Sequence, residues 1–83
     1  MDELVVYGTI WCGDCKRARS FLDRNQVAYR WINIDADREG EAYVRKVNGG
    51  NRSVPTILFP DGSILVEPSN YQLAEKLGLL VLS

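Results

Sequence analysis

Leu4-Val5-Val6-Tyr7-Gly8-Thr9-Ile10-Trp11-Cys12-Gly13-Asp14-Cys15 is the stretch from which the fold is read. It opens on a short apolar, β-branched and aromatic run, the pattern of a buried strand over Leu4–Gly8. It closes on the only two cysteines of the 83-residue chain, two residues apart. Beyond Cys15, Ala18 and Leu22 follow at i+3 and i+7 with Phe21 beside them, while Lys16, Arg17, Arg19, Asp23 and Arg24 take the other side. That spacing predicts an amphipathic helix from near Cys12 to about Asn25. A Cys-x-x-Cys pair at a strand-to-helix junction is the pattern of a redox dithiol or, with further ligands, of a metal site.

Composition narrows the choice. Hydrophobic residues make up 46% and charged residues 25%, which fits a globular chain and not a disordered one. At this length we expect a single domain over residues 1–83 with one small core. The net charge is −1 with no block of like charges, so neither a nucleic-acid nor a membrane-surface partner is expected. Met1-Asp2-Glu3 does not read as a signal peptide and no apolar run is long enough to span a bilayer, so the expected location is cytoplasmic. A disulfide closing so small a loop would add little stability, and in a reducing compartment paired cysteines are more often reactive than structural. Histidine is absent. That excludes a Cys/His dyad and a Cys₂His₂ zinc site, and two cysteines cannot fill four zinc positions within one chain.

The rest of the chain completes the fold. Ala28 to Ile34 predicts a second strand, with Tyr29, Trp31 and Asn33 on one face and Ala28, Arg30, Ile32 and Ile34 on the other. Strand, helix and strand in that order make a parallel βαβ unit. A helix over about Arg38 to Val47 follows, stopped by Asn48-Gly49-Gly50-Asn51. Thr56 to Phe59, the turn Pro60-Asp61-Gly62-Ser63 and Ile64-Leu65-Val66 predict a hairpin. Ser69 with Gln72 forms a capping-box pattern for a last helix, with Leu73, Ala74, Leu77 and Leu80 inward. The order is βαβαββα: an α/β fold with a four-stranded mixed sheet, helices one and three on one face and helix two on the other.

With that order in hand the chain resembles the glutaredoxins, and within them the small actinobacterial mycoredoxin type. The resemblance rests on Trp11-Cys12-Gly13-Asp14-Cys15, Val47 to Thr56, Asp61-Gly62-Ser63 and Pro68-Ser69, and spans nearly all of the sequence. It implies a thioredoxin-like fold and a thiol–disulfide oxidoreductase. Cys12 is then the nucleophile, and Cys15, on the apolar side one turn on, the resolving thiol. A cysteine at the first turn of a helix meets free N–H groups and the positive end of the helix dipole, which favours its thiolate. Lys16 and Arg17 would add to this and Asp14 would oppose it. Read alone, Pro55 is a trans proline opening a strand. The resemblance implies a cis Pro55 beside the cysteines, with the Val54 backbone turned toward substrate. It also points to Arg52 as a cation for a low-molecular-weight thiol and to the helix N-terminus at Ser69 as a second polar contact. For both, a plain structural role competes, a solvated loop arginine and an N-cap. Trp11 is either an exposed docking residue or a rim residue.

No tightly bound cofactor is expected. The co-substrate is mycothiol or glutathione, since Gly13-Asp14 replaces a common Pro-Tyr and Val66 to Asn70 replaces a common Gly-Gly-x-x-Asp. The partners are disulfide-containing proteins, and the chain is read as a monomer. Two alternatives stand beside this: a dedicated electron donor of the ribonucleotide-reductase type recharged by thioredoxin reductase, and a dimer bridged by a [2Fe–2S] cluster with external thiols as the missing ligands.

Overall fold

The computed structural model describes residues 3–79. Seven elements follow in the expected order: β1 Leu4–Gly8, α1 Gly13–Arg24, β2 Tyr29–Asn33, α2 Arg38–Val47, β3 Thr56–Leu58, β4 Ile64–Val66 and α3 Asn70–Leu77. The sheet runs β2-β1-β3-β4, with β1 parallel to β2 and antiparallel to β3, and β3 antiparallel to β4.

The boundaries differ from the sequence reading by a residue at some ends, each for a visible reason. Cys12 and Asn25 are the caps of α1 and lie outside it. β2 is two residues shorter than expected, although the Ile34 N–H still donates to the Gly8 carbonyl at 2.9 Å. β3 stops at Leu58 because the Phe59 N–H closes the turn onto the Ser63 carbonyl at 2.9 Å. The capping box of α3 is formed, with Gln72 N–H donating to Ser69 Oγ at 3.1 Å and Ser69 N–H to Gln72 Oε1 at 2.8 Å.

Alternation along β1 builds two cores. Leu4 and Val6 face α1 and α3, meeting Ala18, Leu22, Ile57 and Leu73. Val5 and Tyr7 face α2, meeting Ile34 and Val44. A fully buried Leu22 contributes about 1.5–3 kcal/mol over an exposed one. The expected face assignment of the three helices and of β2 holds; Leu80 lies outside the described residues.

Register then places the site. β1 and β3 pair Tyr7 with Thr56, so one step further on sets Pro55 against Gly8 and Val54 toward the loop that carries the cysteines. The segment before β3 is tied down from behind. Asn48 Nδ2 donates to the Val44 carbonyl at 2.8 Å and to Thr56 Oγ1 at 3.1 Å, and Thr56 Oγ1 donates to the Ser53 carbonyl at 2.7 Å. Arg45 Nη1 holds the Gly50 carbonyl at 2.9 Å.

Candidate active site

Cys12 and Cys15 are both free thiols with unlike surroundings. Cys12 is the N-cap of α1 and partly exposed. Its Sγ accepts the Cys15 backbone N–H at 3.2 Å, and its thiol points at the Val54 carbonyl 3.9 Å away. A sulfur that accepts a helix-terminal N–H at the positive end of the helix dipole is placed where negative charge is stabilised. Cys15 is wholly buried, one helical turn on. Burial first, and then the hydrogen bond it shares with Cys12, push the Cys15 thiol up to about 12, although a backbone hydrogen bond from Thr9 works the other way. One thiol is therefore accessible and helix-capped, and the other is held protonated next to it.

The room for Cys15 comes from Gly8. A Cβ built on Gly8 would lie 2.6 Å from Cys15 Sγ and 2.9 Å from two atoms of the Trp31 ring. Sequence reasoning treated Gly8 as the end of a strand. Only the close approach of three elements shows that it has to be glycine. Trp31, on β2, forms the wall of this space with Arg19 stacked 4.1 Å over its ring. Gly13, by contrast, faces open space.

The Val54-Pro55 peptide is cis and Pro55 is buried. The Pro55 carbonyl accepts the Glu67 N–H at 2.8 Å, which fixes the loop against the end of β4. Cys12, Cys15, Val54 and Pro55 are thus brought together.

The other expected site residues are placed as follows. Trp11 is 68% exposed, and its indole N–H donates to Asp35 Oδ2 at 2.9 Å. Arg52 stands at the same rim but is already paired: Nη2 to Asp35 Oδ1 at 2.6 Å and Nε to Glu41 Oε2 at 2.8 Å. The hydrogen bond to Arg52 first, then that from Trp11, hold the Asp35 carboxyl below the usual range. Ser69 uses both its hydroxyl and its backbone N–H in the capping box. Arg17, expected to support Cys12, directs Nη1 to Asn70 Oδ1 and Nη2 to the Pro68 carbonyl, both at 2.8 Å. It lies 3.7 Å from Asp14 and joins α1 to the start of α3. Asp35, Glu41 and Asn48 were missed by sequence reasoning, since nothing in local spacing marks a carboxylate as the partner of a distant arginine. Among the described residues no three Cys, Asp or Glu side chains converge as a metal-ligand set, and no helix is long and apolar enough to cross a membrane.

Comparison with known proteins agrees with this geometry. A family model described as glutaredoxin matches residues 4–64. The chain belongs to the glutaredoxin family. It is 45% identical over 74 residues to a glutaredoxin of Mycobacterium tuberculosis, covering 89% of this chain and 88% of that one. It is 34% identical over 80 residues to mycoredoxin 1 of Corynebacterium glutamicum, covering 96% and 99%. Among solved structures, a thioredoxin-like protein superposes with a TM-score of 0.84 at 24% identity, covering 96% of this chain and 100% of that one, and shares the fold. The family is one of thiol–disulfide oxidoreductases that work with small thiols such as glutathione or mycothiol.

Proposed function

We propose that this glutaredoxin reduces mixed and protein disulfides through Cys12 as nucleophile and Cys15 as resolving thiol. Supporting it is the asymmetry of the pair: Cys12 is accessible and capped by a backbone N–H, whereas Cys15 is buried and protonated beside it. In the first step the Cys12 thiolate attacks one sulfur of the substrate disulfide. A mixed disulfide forms on Cys12 and the other half leaves as a thiolate. The Val54 carbonyl, next to Cys12, and the Val54 N–H receive the substrate backbone in the manner of an added strand. In the second step Cys15 gives up its proton and attacks the Cys12 sulfur. The second half of the substrate leaves and takes up that proton as a thiol, and the enzyme has lost two electrons as a Cys12–Cys15 disulfide. Two molecules of a low-molecular-weight thiol, mycothiol or glutathione, return the electrons. Trp11 gives an exposed aromatic rim for the substrate. The protein acts as a monomer in the reducing cytoplasm.

The test is a trapping experiment followed by turnover. Cys15→Ser should accumulate a mixed disulfide on Cys12 that is visible by intact mass, and Cys12→Ser should form none. A Cys12→Ser protein that still opens disulfides at the wild-type rate would sink the assignment. Turnover supplied in turn with mycothiol, glutathione or thioredoxin reductase with NADPH then shows which reductant restores the dithiol.

A further inference from the structure

Arg52 lies two residues before Val54 and shares the Asp35 carboxylate with Trp11, the neighbour of Cys12. It therefore stands at the rim beside the loop that carries Cys12. Yet it is not a free cation. Asp35 takes Nη2 at 2.6 Å and Glu41 takes Nε at 2.8 Å. Arg45 shares Glu41 through Nη2 at 3.1 Å, so two cations and two anions cancel along this rim. A further carboxylate arriving here would have to displace Asp35 or Glu41, or sit beside them and be repelled. An uncharged oxygen meets no such opposition. The bonds to Asp35 and Glu41 use Nε and Nη2, and the guanidinium has N–H donors beyond those it gives to them.

We propose that Asp35 and Glu41 are specificity-determining residues: by neutralising Arg52 they disfavour disulfides whose small-thiol half carries a carboxylate there, and leave the rim to halves that end in uncharged hydroxyl or carbonyl oxygens. This rests on the reading that Cys12 opens mixed disulfides beside Val54. The directions of the carboxyl shifts agree with it. Asp35 is held low by Arg52 and then Trp11, and Glu41 by Arg45 and also by Arg52.

The experiment uses one fluorescent cysteine peptide in two mixed disulfides, one with glutathione and one with glutathione diethyl ester. The two have the same skeleton and differ in the charge of the carboxyl groups. Pre-reduced full-length enzyme is mixed with each, and the second-order rate of peptide release is read in a single turnover. No recycling thiol is needed, because the Cys12–Cys15 pair supplies both electrons. The wild type should favour the ester. In Asp35→Asn and in Glu41→Gln the acid-to-ester rate ratio should rise by about two- to fivefold, the range of an exposed ion pair. It should rise further in the double variant, and the gain should shrink at high salt. Asp61→Asn removes one carboxylate at the far end of β3, where it pairs with Lys76, and should leave the ratio unchanged. Because the ratio is internal to each protein, a fall in active fraction does not move it, and Glu41→Gln keeps the test open if Asp35→Asn folds poorly. An unshifted ratio in both single variants and the double variant overturns the inference alone. A wild type that opens neither adduct overturns the reading of the site and the inference with it.

Discussion

Gly8→Ala adds one methyl group where β1, β2 and α1 meet. Its Cβ would stand 2.6 Å from Cys15 Sγ and 2.9 Å from Trp31, against about 3.5–4.0 Å for an ordinary contact between carbons. Neither neighbour yields freely. Cys15 is fully buried on α1, and the Trp31 ring is held beneath Arg19. Overpacking of this kind costs about 1–3 kcal/mol. One term opposes it: Gly8 does not use a left-handed φ, so alanine restricts the unfolded chain without backbone strain and returns about 0.4–1 kcal/mol. The clash wins, with a net loss of about 1–2 kcal/mol. For a domain of this size each kcal/mol moves the midpoint by about 4–8 °C, so Tm should fall by about 5–15 °C. Thermal unfolding of the reduced protein, followed by circular dichroism, measures it. Alkylation of Cys15 should become faster at the same time, because the sulfur has to leave its pocket. A Tm unchanged to within about 2 °C, or raised, would refute the argument that Gly8 keeps the space for the Cys15 sulfur.

Gly13→Ala is the matched opposite. It sits in the first turn of α1 with nothing near its missing Cβ, so the same change should raise stability by about 0.5–1 kcal/mol in the same melts. Iodoacetamide near pH 8 should label Cys12 and leave Cys15 unmodified, read by peptide mass, because the Cys15 thiol is buried and pushed up to about 12. The same shift has a sign in stability: the folded state keeps a proton that the unfolded chain releases, so urea midpoints should hold below about pH 8.5 and decline as pH rises toward 12, with a shallower decline in Cys15→Ser. Arg17→Ala removes two charge-assisted bonds to the start of α3 and should lower the unfolding free energy by about 1–2 kcal/mol in urea titrations, with Arg17→Lys recovering little because a lysine cannot span both acceptors.

What the sequence made legible and what it left out divide along a physical line. β1, α1 and α2 were readable because their signals are periodic and local: a β-branched run, an apolar stripe at helical spacing, a glycine-rich stop. The α3 cap was readable because a capping box is a pattern four residues long. Cys12 and Cys15 were readable for the same reason, since their unlike surroundings follow from one helical turn: position N-cap against position N3, one facing the loop and the other facing β1. The pairing of Val54-Pro55 with Cys12 is long-range, and only the resemblance to a known family carried it before the register of β1 and β3 explained it. Arg52 shows where sequence reasoning stops. As a lone loop cation it looks available to a bound thiol. Its charge is settled by Asp35, 17 residues away in the loop after β2, and by Glu41, 11 residues away on α2. The three residues share no helix or strand, so no local pattern could have paired them. A positive side chain near a reactive thiol is therefore evidence of an anion site only after its own partners have been counted, and here the count finds Arg52 already paired with two carboxylates.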